Sequence, residues 1–300
     1  MISFDKYKRA EKKDYCFSIV IPTWNNLKYL ELCVDSIRKN SAYEHQIVLA
    51  VNEGVDGTRE WVENQGLDYI YAEKNIGVCY ALNACRGLIA TDFMLYANDD
   101  MYFLPNWDVP ILEKINELTD NQRNKRKYFM ISSTLIEPYG NNPCVVVKDY
   151  GHDIETFREA DLIKDQPSLH HADWRGSTWP PNIMPVACWD LVGGMSIEYH
   201  PGMGSDPDIS RKLWELGVRD FMGVGSSLVY HFGCKSTGRV KKNNGRKTFL
   251  LKWGISSRTF NDKYIVRGAD MSTQVDEEKL PKPSDFSQLI KRILACFGNK

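Results

Sequence analysis

The chain has 300 residues, of which 43% are apolar and 26% charged, with a net charge of −1. That length suits one large domain or two merged ones around a sizeable core. A near-zero charge lacks the basic excess of a nucleic-acid binder, so no nucleic-acid partner is expected. No apolar stretch reaches the roughly 18 residues of a membrane span, and residues 1–14 lack the apolar centre of a secretory signal, so a cytosolic location is expected. The eight cysteines show no C-x-x-C spacing, and several sit in apolar segments, which predicts reduced thiols without structural zinc or a disulfide framework.

In chain order, residues 17–22 read as a strand, and Leu30, Cys33, Val34 and Ile37 then recur at helical spacing. Residues 46–51 read as a second strand, followed by an Asp56-Gly57 turn and a short helix near 59–65. Residues 68–72 give a third strand, 78–89 a helix and 92–97 a fourth strand. Strands alternating with helices predict parallel βαβ units and an α/β, doubly wound sheet. In such sheets ligands bind at the carboxyl ends of the strands. Those ends carry Pro22 to Asn25, Asn52 to Gly54, Glu73 to Asn75 and Asn98 to Asp100, which sketches a polar site.

Beyond Trp107, Ile111, Leu112, Ile115 and Leu118 predict another helix, 121–127 reads as a basic solvated loop, and 140–185 is loop-rich. A linker at 279–283 precedes a tail in which Phe286, Leu289, Ile290, Ile293, Leu294 and Phe297 fall on one helical face. Ser284 is placed to cap that helix and Gly298 to end it. The stripe packs on the body, or on a second subunit, or lies on a membrane surface.

Asn98-Asp99-Asp100 directly follows a strand. Adjacent carboxylates repel unless a cation or donor is near, and a hard divalent ion suits them; a solvated Asn/Asp turn is the alternative. The ordered set Ile21-Pro22-Thr23-Trp24-Asn25, Asp56-Gly57-Thr58, Asn75-Ile76-Gly77, Ala81-Leu82-Asn83 and Asn98-Asp99-Asp100 with Pro105 resembles the N-terminal half of glycosyltransferase family 2. Val192-Gly193-Gly194-Met195, Ser205-Asp206-Pro207-Asp208 with Arg211 to Trp214, and Tyr230-His231-Phe232-Gly233 with Ser236-Thr237 resemble its acceptor side. The resemblance spans residues 17–240.

It implies a GT-A nucleotide-diphospho-sugar transferase fold, a mixed, mostly parallel sheet flanked by helices. The chain would divide into an extension (1–15), a nucleotide-sugar-binding half (16–110), an acceptor-binding half of the same domain (111–270), and a linker with an amphipathic helix (271–300). Pro22, Thr23, Asn25, Asn75 and Gly77 would lie against the donor nucleoside, Asp56 would shape the base pocket, and Asn83 and Asn98 would belong to the donor side. Asp99 would sit near the ribose or phosphate, Asp100 and His231 would hold Mn²⁺ or Mg²⁺, and Asp206 would be the general base. The family places an acid where Val51 stands, so Asn52 or Glu53 would take over its contact with the base.

The implied reaction is inverting transfer of a sugar from a nucleotide-diphosphate donor to a saccharide or lipid-linked saccharide hydroxyl. Surface polysaccharide or glycolipid synthesis, with peripheral contact at the inner membrane face, would suit that acceptor. The competing reading is a catalytically silent nucleotide-sugar binder. A nucleotidyltransferase would need a Gly-rich, Arg-containing loop after the first strand, and a dehydrogenase would need G-x-G-x-x-G there; neither follows residue 22. Asp206 reads as the N-cap ahead of Pro207, and Asp208 as an exposed partner of Arg211 and Lys212. His170-His171 with Asp173 reads as loop surface or acceptor contact before a metal site. Trp174, Trp179 and Trp189 read as acceptor platforms or as packing.

Overall fold

Residues 18–24 and 46–52 are apolar on both faces, which fits strands buried between two helical layers. In the computed structural model, which describes residues 2–8, 14–120, 128–233 and 237–297, they lie in the middle of one half of a single sheet. Its strands are β1 (Asp5–Tyr7), β2 (Ser18–Trp24), β3 (Gln46–Asn52), β4 (Asp68–Ala72), β5 (Phe93–Tyr96) and β6 (Met101–Phe103). They continue with β7 (Phe129–Glu137), β8 (Val145–Val147), β9 (Trp174–Arg175), β10 (Asn182–Pro185) and β11 (Asp220–His231). The order is β1-β4-β3-β2-β5-β10-β7-β11-β6, with β8 beside β7 and β9 beside β11. The basic loop at 121–127, Cys234, Ser236 and Gly298 lie outside the described residues.

The β4-β3-β2-β5 block is parallel, as local βαβ patterning dictates. β10 then inserts antiparallel between β5 and β7, β11 runs parallel to β7, and β6 closes the edge antiparallel to β11. The sheet is therefore mixed, and its parallel character is concentrated in the first half. The segment read as an N-terminal extension contributes β1, which pairs with β4 and stacks Tyr7 on Tyr69 at 4.5 Å.

The two-residue side-chain period divides the core. Ile19 and Ile21 of β2 meet Leu30, Cys33, Val34 and Ile37 of the helix Leu27–Asn40, together with Ile111 and Ile115 of the helix Asp108–Asp120. Val20, Val48 and Ala50 face the other way, onto Cys79 and Leu82 of the helix Gly77–Cys85 and Leu213 and Trp214 of the helix Ser205–Glu215. Each such large apolar side chain contributes about 1.5–3 kcal/mol on burial.

The tail forms a helix at Phe286–Phe297, resting on the helix Gly245–Trp253. Its start differs from the expectation: Asp285, not Ser284, precedes the first helical residue, and its carbonyl accepts the Leu289 N–H at 2.9 Å. The six-residue apolar stripe does not pack on the body. Phe286 is 76%, Leu294 65% and Phe297 85% exposed, whereas the polar Gln288 is the helix's buried residue.

Candidate functional site

A cavity of about 460 Å³ opens at the carboxyl ends of β2, β3 and β5. Pro22, Thr23 and Asn52 come from the first two strand ends, Asn75 and Gly77 from the loop after β4, and Asn98, Asp99 and Asp100 from the loop after β5. His231 closes one wall from the end of β11, and Asp206 enters from the helix Ser205–Glu215. The structure thus gathers ten of the residues singled out in the sequence around one hollow.

Register explains the meeting of Asp100 and His231, which are far apart in the chain. His231 pairs with Met101 across β11 and β6, and Phe232 donates its N–H to the Asp100 carbonyl at 3.1 Å. The side chains converge, with His231 Nε2 at 3.4 Å from Asp100 Oδ1. On the other side β11 pairs with β7 through Tyr230 and Ile136, which brings Glu137 beside His231. The imidazole donates from Nδ1 to Glu137 Oε1 at 2.9 Å, because a carboxylate only accepts. A neutral ring held this way turns its Nε2 lone pair toward the Asp100 oxygen. A shared cation satisfies that geometry.

Among the described residues no group of three or more His, Cys, Asp or Glu side chains is arranged to hold a metal by itself. A hard divalent ion often takes only one or two protein ligands and completes its shell with substrate phosphates and water. The Asp100–His231 pair fits that kind of site. Asp99 is buried and accepts from Thr23 Oγ1 at 2.8 Å. Burial, and then the charge of Asp100, push its carboxyl well above the usual carboxylate range.

Asp206 departs from the expected position. Gly204, in the left-handed region at φ 88°, is the N-cap, and a side chain there would press against the Gly245 backbone. The helix starts at Ser205, so Asp206 is its second residue. Among the described residues none donates a hydrogen bond to its carboxylate, and desolvation raises it to about 7. Asp208 is also corrected. It is fully buried, accepting from Ser196 Oγ at 2.6 Å and Trp253 Nε1 at 2.7 Å, with Lys252 Nζ at 2.9 Å. Arg211 pairs instead with Glu215, and Lys212 donates to the Val192 and Gly194 carbonyls.

Four sequence candidates stand behind the cavity rather than on its wall. Asn25, at φ 46°, donates to Glu53 Oε2 at 3.0 Å, and Glu53, at φ 61°, accepts the Asn75 N–H at 3.3 Å. Together they tie three strand-end loops to one another. Asp56 accepts from the Leu27 N–H at 2.8 Å and from Thr58, fixing the start of the helix Leu27–Asn40. Asn83 brackets Met195, accepting its N–H and donating to its carbonyl, both at 2.8 Å.

At the nucleoside end Val51 is buried in the apolar core. Asn52 reaches the cavity but spends its amide on the Thr23 carbonyl and the Ile76 N–H. Asn75 Oδ1 accepts the Gly77 N–H at 2.8 Å, and Gly77, at φ 69°, lies so close to His200 that an added Cβ would meet its Nδ1 at 2.6 Å.

The structure also separates the tryptophans. Trp174 and Trp189 are buried, while Trp179 lines the cavity and stacks on Trp174 at 5.4 Å. His171 points both ring nitrogens at backbone carbonyls, those of Ala172 and Pro143, and Asp173 accepts the Gly225 N–H. They anchor a loop. Glu137 was missed by the sequence reading; its only signal was a carboxylate at the end of an apolar strand.

The sequence profile described as "Glycosyl transferase family 2" matches residues 18–129. No curated protein matches the chain. Among solved structures, Staphylococcus aureus TarS 1–349 aligns with a TM-score of 0.55 at 13% identity, over 93% of this chain and 79% of that one. The same protein in complex with UDP-GlcNAc gives a TM-score of 0.54 at 15% identity, with the same coverage. GalNAc-T7 with UDP, GalNAc and Mn²⁺ gives 0.54 at 15% identity, over 92% of this chain and 53% of that one, so the chain spans about half of that protein. At these identities the structural likeness is one of fold, the GT-A architecture.

Proposed function

We propose, on the premise that this chain is a glycosyltransferase with a family 2 domain at residues 18–129, that it moves a sugar from a nucleotide-diphosphate donor to a saccharide hydroxyl with inversion. One observation supports this reading above the others. A single cavity holds a carboxylate–imidazole pair suited to a diphosphate-bound cation and, on a separate element, a lone carboxylate with a raised affinity for protons.

In this reading the nucleoside lies over the Pro22, Thr23, Asn75 and Gly77 backbone, where the bare Gly77 leaves room for His200 and Pro201 to close the wall. The acceptor hydroxyl lies at Asp206, with Trp179 as an apolar wall for its ring. The hydroxyl oxygen bonds to the anomeric carbon as the carbon–diphosphate bond breaks, and that bond's electron pair leaves on the diphosphate. The hydroxyl proton passes to Asp206, whose raised affinity for protons suits it to accept. A divalent cation, when bound by Asp100 and His231, supplies charge neutralisation for the leaving diphosphate. Because one base and no nucleophilic carboxylate are used, attack is in line and inverts the centre. Asn52, with its amide committed to loop backbone, leaves base discrimination to the shape of the loops and their backbone groups. Surface polysaccharide or glycolipid synthesis is the setting that fits such an acceptor.

Thermal unfolding against a panel of nucleotide sugars, with and without Mn²⁺, tests donor binding; a ligand at 100 times its Kd adds about 2.7 kcal/mol. Transfer or donor hydrolysis in the same samples tests turnover. Binding without metal-dependent turnover would favour a silent nucleotide-sugar binder.

A further inference from the structure

The helix Phe286–Phe297 carries two cations, Lys291 and Arg292, and no carboxylate. Its exposed face presents Phe286, Leu289, Ile290, Ile293, Leu294 and Phe297, between 40% and 85% exposed. The body holds it from the opposite side: Gln288 is buried, Pro283 packs on Gly254, and Arg292 donates to the Pro283 carbonyl at 2.7 Å. The apolar face is therefore presented by a fixed support.

That support, the helix Gly245–Trp253 capped by Asn244, has its first turn inside a run, 239–247, with five cations and no acid (Arg239, Lys241, Lys242, Arg246, Lys247). Arg239, Lys241 and Lys242 line a groove that shares Trp24, Asn75, Pro201 and Val240 with the catalytic cavity. The supporting helix is only about 13 Å long at 1.5 Å per residue. The basic groove lies at one end of this short helix and the tail helix rests along it, so the groove and the tail are neighbours.

We propose that the stripe and the basic run form one surface that seats the protein on an anionic lipid bilayer, and that the groove admits an acceptor anchored in that bilayer. Charge complementarity favours lipid over a second copy of the chain, because a pairing of two such helices brings like charges together. This rests on the glycosyltransferase reading for the acceptor and not for the lipid contact.

The test uses the full chain and sedimentation with phosphatidylcholine vesicles, with or without phosphatidylglycerol. Binding is expected to need the anionic lipid and to weaken with salt. Ile293→Glu with Leu294→Glu, both at exposed sites, should reduce it by about tenfold or more. Unchanged donor-induced thermal shifts in that variant would show that the fold and the donor site survive. Transfer to a water-soluble acceptor should stay unchanged, while transfer to a lipid-linked acceptor in the same vesicles should fall. Vesicle binding by the double variant equal to the parent's, or a stripe-dependent dimer that ignores lipid, would overturn the proposal. Lipid binding without any transfer would fault the enzymatic reading alone.

Discussion

The His231 imidazole is fixed by Glu137, whose Oε1 accepts a hydrogen bond from Nδ1 at 2.9 Å and so turns Nε2 toward Asp100. Partners of this kind set the tautomer and basicity of a metal-binding histidine, and their loss typically weakens metal affinity 10–100-fold. Glu137→Gln should therefore lower Mn²⁺ affinity by about that factor in a calorimetric titration, with the unfolding midpoint little changed. An unchanged titration would show that His231 does not bind metal through Nε2.

Asp206→Asn should reduce turnover by about 10²–10⁴-fold, because the amide cannot accept the acceptor's proton. In the parent, activity should climb as pH rises through about 7, where this carboxyl ionises. Stability should move the opposite way. A carboxyl raised in the folded state binds more protons there than in the unfolded chain, so its contribution falls as pH climbs from the unfolded value, near 4, through about 7. The Asn variant escapes that loss, so its advantage in urea should widen over the same window. A variant both fully active and equally pH-sensitive would remove Asp206 from the chemistry.

Asp208→Ala should destabilise the protein by about 1–3 kcal/mol, because Ser196 Oγ and Trp253 Nε1 lose their buried acceptor, while the exposed Lys252 keeps Glu198. Urea unfolding reads this directly. The surviving folded fraction should keep the parental pH–rate profile, because Asp208 holds the helix Ser205–Glu215 in place and takes no proton from substrate.

Thr23→Val keeps the volume and removes the hydroxyl donated to Asp99 at 2.8 Å. Leaving that buried carboxylate short of a donor should cost about 1–3 kcal/mol. The donor-induced thermal shift should shrink with it, because Thr23 and Asp99 both line the cavity. Intact stability would mean that Asp99 is protonated or re-paired there.

The first half of the fold was legible because its rules are local. The spacing of Leu30, Cys33, Val34 and Ile37 shows the buried face of one helix, and the polar strand ends show where a ligand can sit. The second half depends on pairings that no spacing reveals. β10 wedges between β5 and β7, and Glu137 reaches His231 only because β7 and β11 share a register. The misplaced cap at Asp206 has a local cause: Gly204 adopts a left-handed conformation that lets the helix begin two residues earlier than Pro207 suggests. Asp208 was read as exposed because its partners Ser196, Lys252 and Trp253 are remote in the chain.

The helix that bears Asp206 runs away from the cavity, and after residues 216–219 the strand β11 returns to it and ends at His231. Asp206 and His231 are therefore the two tips of one hairpin-like unit whose arms are held differently. Backbone pairing with β7 and β6 fixes the His231 tip, whereas the Asp206 tip rides on a helix held by side-chain packing. Lengthening the turn at 216–219 should therefore displace Asp206 before it displaces His231.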